Sequence, residues 1–97
     1  MQQPSTADKG KYDKAISDLT KEIRINPNLA IAYYNRGLAY GNKGSLDRAI
    51  SDYTEAIRLD PNYADAYDNH GIAYSKQGNL NKANTDFATA KRLKAGQ

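Results

Sequence analysis

The chain has 97 residues, 39% hydrophobic and 26% charged, a balance that fits one small soluble domain and excludes a disordered chain. It has no cysteine, which excludes disulfides, thiolate metal sites and cysteine nucleophiles, and its single histidine cannot build a multi-histidine metal centre. The net charge of +3 comes from 14 basic and 11 acidic residues scattered along the chain, a distribution that gives nucleic acid no basic stripe to bind.

Residues 1–9 read as a tail. Met1 to Thr6 has no basic stretch followed by an apolar run, so a secretion signal is not expected and the cytoplasm is the favoured compartment. Nor does any stretch approach the roughly 20 apolar residues that span a bilayer. A first helix is predicted over 12–25, ended by Pro27, which cannot continue it. A second is predicted over 30–43 and stopped by Gly44, the residue that tolerates positive φ just past a helix end. Asp47 is expected to cap a third helix over 47–59, with Pro61 beyond it. Helices over 64–77 and 81–94 follow, separated by Gly78, with Asn81 in the place of Asp47.

These elements repeat. Residues 30–63 laid on 64–97 without a gap give fourteen identities, among them Tyr33/Tyr67, Asn35/Asn69, Gly37/Gly71, Tyr40/Tyr74, Ala49/Ala83, Asp52/Asp86 and Ala56/Ala90. The same shift lays Gly10–Leu29 on Gly44–Tyr63 with eleven identities, including Ala15-Ile16-Ser17-Asp18 on Ala49-Ile50-Ser51-Asp52. A gapless period of this length marks stacked helix pairs in an all-α solenoid. The division is then a tail (1–9), a half repeat holding only a second helix (10–29), and full repeats over 30–63 and 64–97. Gly37/Gly71 and Ala49/Ala83 are expected where backbones approach closely, with the tyrosines mostly in the core. Ile50 and Ile57 are expected to pack on the next unit; Asn84 and Lys91 replace them in the last unit, so the array is expected to end there on a polar face.

The spacing Tyr33-x3-Gly37-x2-Tyr40, then Ala49, Tyr53, Ala56 and Pro61, resembles the tetratricopeptide repeat pattern. The second unit supplies Tyr67, Gly71, Tyr74, Ala83, Phe87 and Ala90, with Ala95 where the pattern has proline. Tyr33 and Tyr67 stand where that family favours tryptophan, and Arg36 and His70 where it often has leucine, which predicts a partly buried slot. The resemblance implies a right-handed superhelix whose first helices line a concave groove that binds proteins or peptides. Groove positions would be Ile31, Tyr34, Asn35, Leu38 and Asn42, then Asp65, Asp68, Asn69, Ile72 and Ser75. Asn35 and Asn69 suit an extended backbone, since each both donates and accepts. Family members that clamp acidic chaperone tails use Lys and Asn where this chain has Tyr34 and Leu38, so that clamp is not expected. Asp65 and Asp68 favour a neutral or basic segment instead.

The half repeat leaves Tyr12, Ala15 and Leu19 without their partner helix, an apolar edge on which a homodimer could form. His70 beside Asp65 and Asp68 suggests a general base, but with no nucleophile specified it reads as a surface or packing residue. Asp52 and Glu55 read as solvated charges, and Lys91, Arg92 and Lys94 as complements to a helix dipole. The expected protein is therefore a non-enzymatic interaction scaffold without cofactor or metal, with self-assembly as the alternative.

Overall fold

The computed structural model describes residues 6–96, which form five helices with no strand among them: α1 (Thr6–Ile25), α2 (Ala30–Lys43), α3 (Leu46–Leu59), α4 (Ala64–Lys76) and α5 (Leu80–Ala95). Each helix packs on the next in the chain, and α2 also touches α4, so two helix pairs and the leading α1 stack into a slab of 38 × 35 × 19 Å. Short connections force neighbouring helices antiparallel.

The helix stops follow from local chemistry. Gly44 has φ of 95°, its amide bonds Gly41 O, and the Ser45 amide reaches back to Tyr40 O. Gly78 repeats this with φ of 85°, and the Asn79 amide returns to Tyr74 O. The two carbonyl-capping turns are the same device used twice.

Two expectations about helix starts need correction. The first helix begins at Thr6 rather than Tyr12 and runs straight through Gly10. Gly10 is the counterpart of Gly44 and Gly78, yet it lies inside α1, where it costs the helix only about 1 kcal/mol and does not break it. The caps also lie two residues earlier than expected. Ser45 precedes α3 with no side-chain cap bond, while Asp47 accepts a bond from Gln77 Nε2. Asn79, not Asn81, caps α5, its Oδ1 accepting from the Lys82 amide. The turn after each glycine is so tight that a single residue separates it from the next helix.

The core is made of alanine. Ala32, Ala39, Ala49, Ala56, Ala66, Ala73, Ala83 and Ala90 are all buried. Of the eight tyrosines only Tyr53 is buried, and the other seven lie half-buried along the seams, against the expectation that most are core. Backbones this close leave room for a ring only where a glycine faces it. At Gly37 an added Cβ would lie 2.6 Å from Tyr53 Cε1, and at Gly71 2.8 Å from Phe87 Cε1. Each glycine therefore makes room for the ring that crosses it. Ile50 packs half-buried beside the Ala49, Tyr53 and Ala73 cluster. Asn84 and Lys91 are exposed at the far end, yet Leu80 and Phe87 stay apolar there and are 59% and 36% exposed. The terminal face is only half converted to polar.

Candidate functional site

Of the predicted groove residues, Leu38 and Asn42 of α2 and Asn69 and Ile72 of α4 line one pocket, and Tyr34 joins them through Asn69. Ile31 and Ile72 are 57% and 44% exposed, and Asn35, Asn42, Asp65 and Ser75 also face solvent. Tyr34, Leu38, Asp68 and Asn69 are half-buried. A pocket of about 70 Å³ opens where three helices meet, lined by Leu38 and Asn42 of α2, Leu46 and Tyr53 of α3, and Asn69, Ile72 and Lys76 of α4. Leu46, Tyr53 and Lys76 escaped the sequence reading. The signal was available only for Lys76, one turn past Ile72 on the same helix.

Four polar residues of this region, Tyr34, Asp65, Asp68 and Asn69, are already engaged. Asn69 Nδ2 donates to Tyr34 Oη and to the Asp65 carbonyl, both at 3.0 Å, which leaves Oδ1 as its free acceptor. Tyr34 also packs between Tyr53 and Tyr63, with ring centroids 5.9 and 4.9 Å away. Burial, then the Asp65 and Asp68 charges, push its hydroxyl pKa up, so it stays a neutral donor. From α5, Lys94 forms an ion pair with Asp68 and lies 4.0 Å from Asp65. The chain's own ammonium thus answers part of the acidic end.

Behind the strip lie two repeated polar seams that the sequence reading did not assemble. Asp52 is not a solvated charge but a buried one, 4% exposed. Arg36 meets it with two bonds, Nε to Oδ2 at 2.8 Å and Nη2 to Oδ1 at 2.7 Å, and extends Nη1 to Thr20 Oγ1 of α1 at 3.2 Å. In the next unit His70 faces Asp86 and Thr54 rather than Asp65 and Asp68. Its Nδ1 lies 2.8 Å from Asp86 Oδ2 and its Nε2 3.0 Å from Thr54 Oγ1. Burial pushes the Asp86 carboxyl pKa up, and His70 opposes that shift. Thr54, His70 and Asp86 have the outline of a nucleophile, a base and an orienting carboxylate. However, the Thr54 hydroxyl already donates to Ile50 O at 2.8 Å, and an arginine holds the histidine's place one repeat earlier. Arg36 and His70 thus take corresponding places between helices in successive repeats.

The α1 flank holds Tyr12, Ala15 and Leu19, all half-buried rather than fully exposed. Asp18 stands in the slot of Asp52 and Asp86, but it is exposed and pairs with Lys14 one turn away on its own helix, at 3.0 Å. Among the described residues no group of three His, Cys, Asp or Glu side chains is placed to hold a metal ion, and no helix is long and apolar enough to cross a membrane.

Comparison with known proteins gives a consistent answer. Profiles described as "Tetratricopeptide repeat" match residues 30–63 and 52–83, and one described as "TPR repeat" matches 6–44. The second TPR of Spaghetti (RPAP3), bound to the HSP90 peptide SRMEEVD, superposes with a TM-score of 0.84 at 37% identity, over 87% of this chain and 78% of that one. Its first TPR, bound to the same peptide, gives 0.86 at 31% identity, over 91% and 70%. MamA gives 0.86 at 32% identity over 89% of this chain, which spans about half (50%) of that one. No curated protein matches the sequence.

Proposed function

The chain belongs to the tetratricopeptide repeat family of protein-interaction modules, and from that premise we propose that it captures a peptide or protein segment along the α2–α4 strip. The observation that carries this reading is the open pocket between α2, α3 and α4 with free hydrogen-bonding groups on its rim. At about 70 Å³ it takes one short aliphatic side chain. Asn35, Asn42 and the Asn69 acceptor are placed to hold the ligand backbone, and Tyr34, Leu38 and Ile72 supply apolar contact.

The Spaghetti domains bound to the HSP90 peptide share this fold, but the clamp expected of chaperone-tail binders in this family would need Lys and Asn where this chain has Tyr34 and Leu38. A segment ending in acidic residues is therefore a poor ligand. Because Lys94 partly neutralises Asp65 and Asp68, and Lys76 stands on the pocket rim, an uncharged apolar segment fits best, with a basic one second. Ile72→Lys tests this, since Ile72 is 44% exposed on the pocket rim and a long side chain there can reach water without disturbing the fold. In fluorescence polarisation against a peptide library, the variant should weaken every captured peptide about tenfold, the cost of losing one good apolar contact. Unchanged binding by Ile72→Lys and by Asn35→Ala with Asn69→Ala would sink the reading.

One observation favours a second reading, self-assembly through α1. Its flank keeps Tyr12, Ala15 and Leu19 together with Asp18, a carboxylate in a slot where a side chain from a neighbouring helix, Arg36 or His70, meets the aspartate in both later units. Light scattering at low and high micromolar concentration should then show a dimer that Leu19→Glu dissolves. A monomer at both concentrations rules this reading out.

A further inference from the structure

We propose that two copies of this chain pair through α1 in antiparallel orientation, an arrangement that rests on the self-assembly reading and gives it a geometry. In the middle repeat α2 seals one face of α3. Ala49, Asp52, Tyr53 and Ala56 are 0%, 4%, 3% and 0% exposed there, and Arg36 reaches across to Asp52. The 34-residue shift puts Ala15, Asp18, Leu19 and Glu22 of α1 in those four places. Among the described residues no helix covers them: Ala15 and Leu19 are half-buried, and Asp18 and Glu22 are exposed. Asp18 meets only Lys14 of its own helix, and both side chains stay largely in water, at 58% and 78% exposure.

The charges along this edge choose the orientation. Helical period brings Lys11 and Lys14 to its border in the amino half of α1, and Asp18 and Glu22 in the carboxyl half. All four are exposed. Of the acids in the amino half, Asp13 is drawn to Lys43 of α2, and Asp8 lies a turn beyond Tyr12. Two copies laid parallel would set lysine against lysine and carboxylate against carboxylate. Laid antiparallel, Lys11 and Lys14 of one copy lie against Asp18 and Glu22 of the other, and symmetry makes the match twice. Asp18 then receives from the second copy the cation that Arg36 brings to Asp52.

One twofold axis serves these contacts together. Lys11 with Asp18, Lys14 with Asp18, and Tyr12 with Leu19 are each centred within a turn of Ala15. Ala15 is the smallest side chain of the stripe, so the helices approach most closely where the axis crosses. Tyr12 and Leu19 of each copy then close over one another on either side of it.

The test is sedimentation equilibrium of the whole chain with its edge rewritten in charge. Lys11→Glu with Lys14→Glu makes the edge wholly acidic, and Asp18→Lys with Glu22→Lys makes it wholly basic. Since all four positions are exposed, circular dichroism should show both variants as helical as wild type. Each variant alone should self-associate at least tenfold more weakly than wild type, and their equimolar mixture should recover wild-type affinity as a heterodimer. A mixture no tighter than its parts, beside a dimeric wild type, overturns the antiparallel pairing but leaves the self-assembly reading standing. A wild type that is monomeric at high micromolar concentration removes both. A second readout does not depend on charge, because the chain has no cysteine of its own. Ala15→Cys should cross-link two copies on oxidation, while Ser17→Cys, on the opposite side of α1, should not. Equal cross-linking of the two variants would also overturn the pairing.

Discussion

The two full repeats follow nearly the same backbone plan but do not hold their contents equally well. In the middle repeat Tyr53 crosses Gly37, is 3% exposed, and is covered on its far side by α4. In the last repeat Phe87 crosses Gly71 in the same way, yet it is 36% exposed because no helix follows α5 among the described residues. The polar seam behind each ring differs in the same direction: a permanent guanidinium in one, a titratable imidazole in the other. A repeat's stability therefore belongs to its neighbours as much as to its own sequence, as nearest-neighbour stacking requires.

The largest break in the comparison should come from the rings. Tyr53→Ala should cost about 4 kcal/mol, the value for an aromatic removed from a closed core, and Phe87→Ala about 1.5 kcal/mol, since water already reaches that ring. Urea denaturation of both variants checks the ratio, and equal losses would mean that both rings are equally enclosed.

The seams come next. Arg36→Ala leaves the Asp52 carboxylate buried and unpaired, which should cost about 3 kcal/mol. His70→Ala should cost about 1 kcal/mol, because the ring's contact with Thr54 is open to water and only its contact with Asp86 is enclosed. Denaturation of the two variants side by side at pH 8 separates these values.

The smallest effect tests the glycines. An alanine at Gly37 must displace the enclosed Tyr53 ring, for about 2 kcal/mol net of the better helix propensity. At Gly71 the partly open Phe87 can swing outward, and the loss should be about 1 kcal/mol. Thermal midpoints that fall by the same amount for both would show that the open end is no softer than the middle.

Much of this was legible in the sequence for a definite reason. Close packing of like units requires the same small residue at the same place in each, so Gly37/Gly71 and Ala49/Ala83 announce the helix contacts through their recurrence. For the proposed groove the sequence says less: helical period fixes which side chains share a face, but not which of them are already occupied. Asn69 bonded to Tyr34, and Lys94 brought to Asp68 from a helix later in the chain, are pairings between elements that no local pattern encodes.

Taken alone, the sequence determined the period, the helix stops at Gly44, Gly78 and the prolines, and the small-residue contacts, because each follows from backbone sterics acting over a few residues. Only the tertiary structure decided that alanines rather than tyrosines fill the core, that α1 runs on to Thr6, and that Asp52 and Asp86 are buried with Arg36 and His70. Those outcomes depend on how near two helices come and on which side chain spans the gap. That distance is set by the packing of all the units together, not by any one stretch of chain.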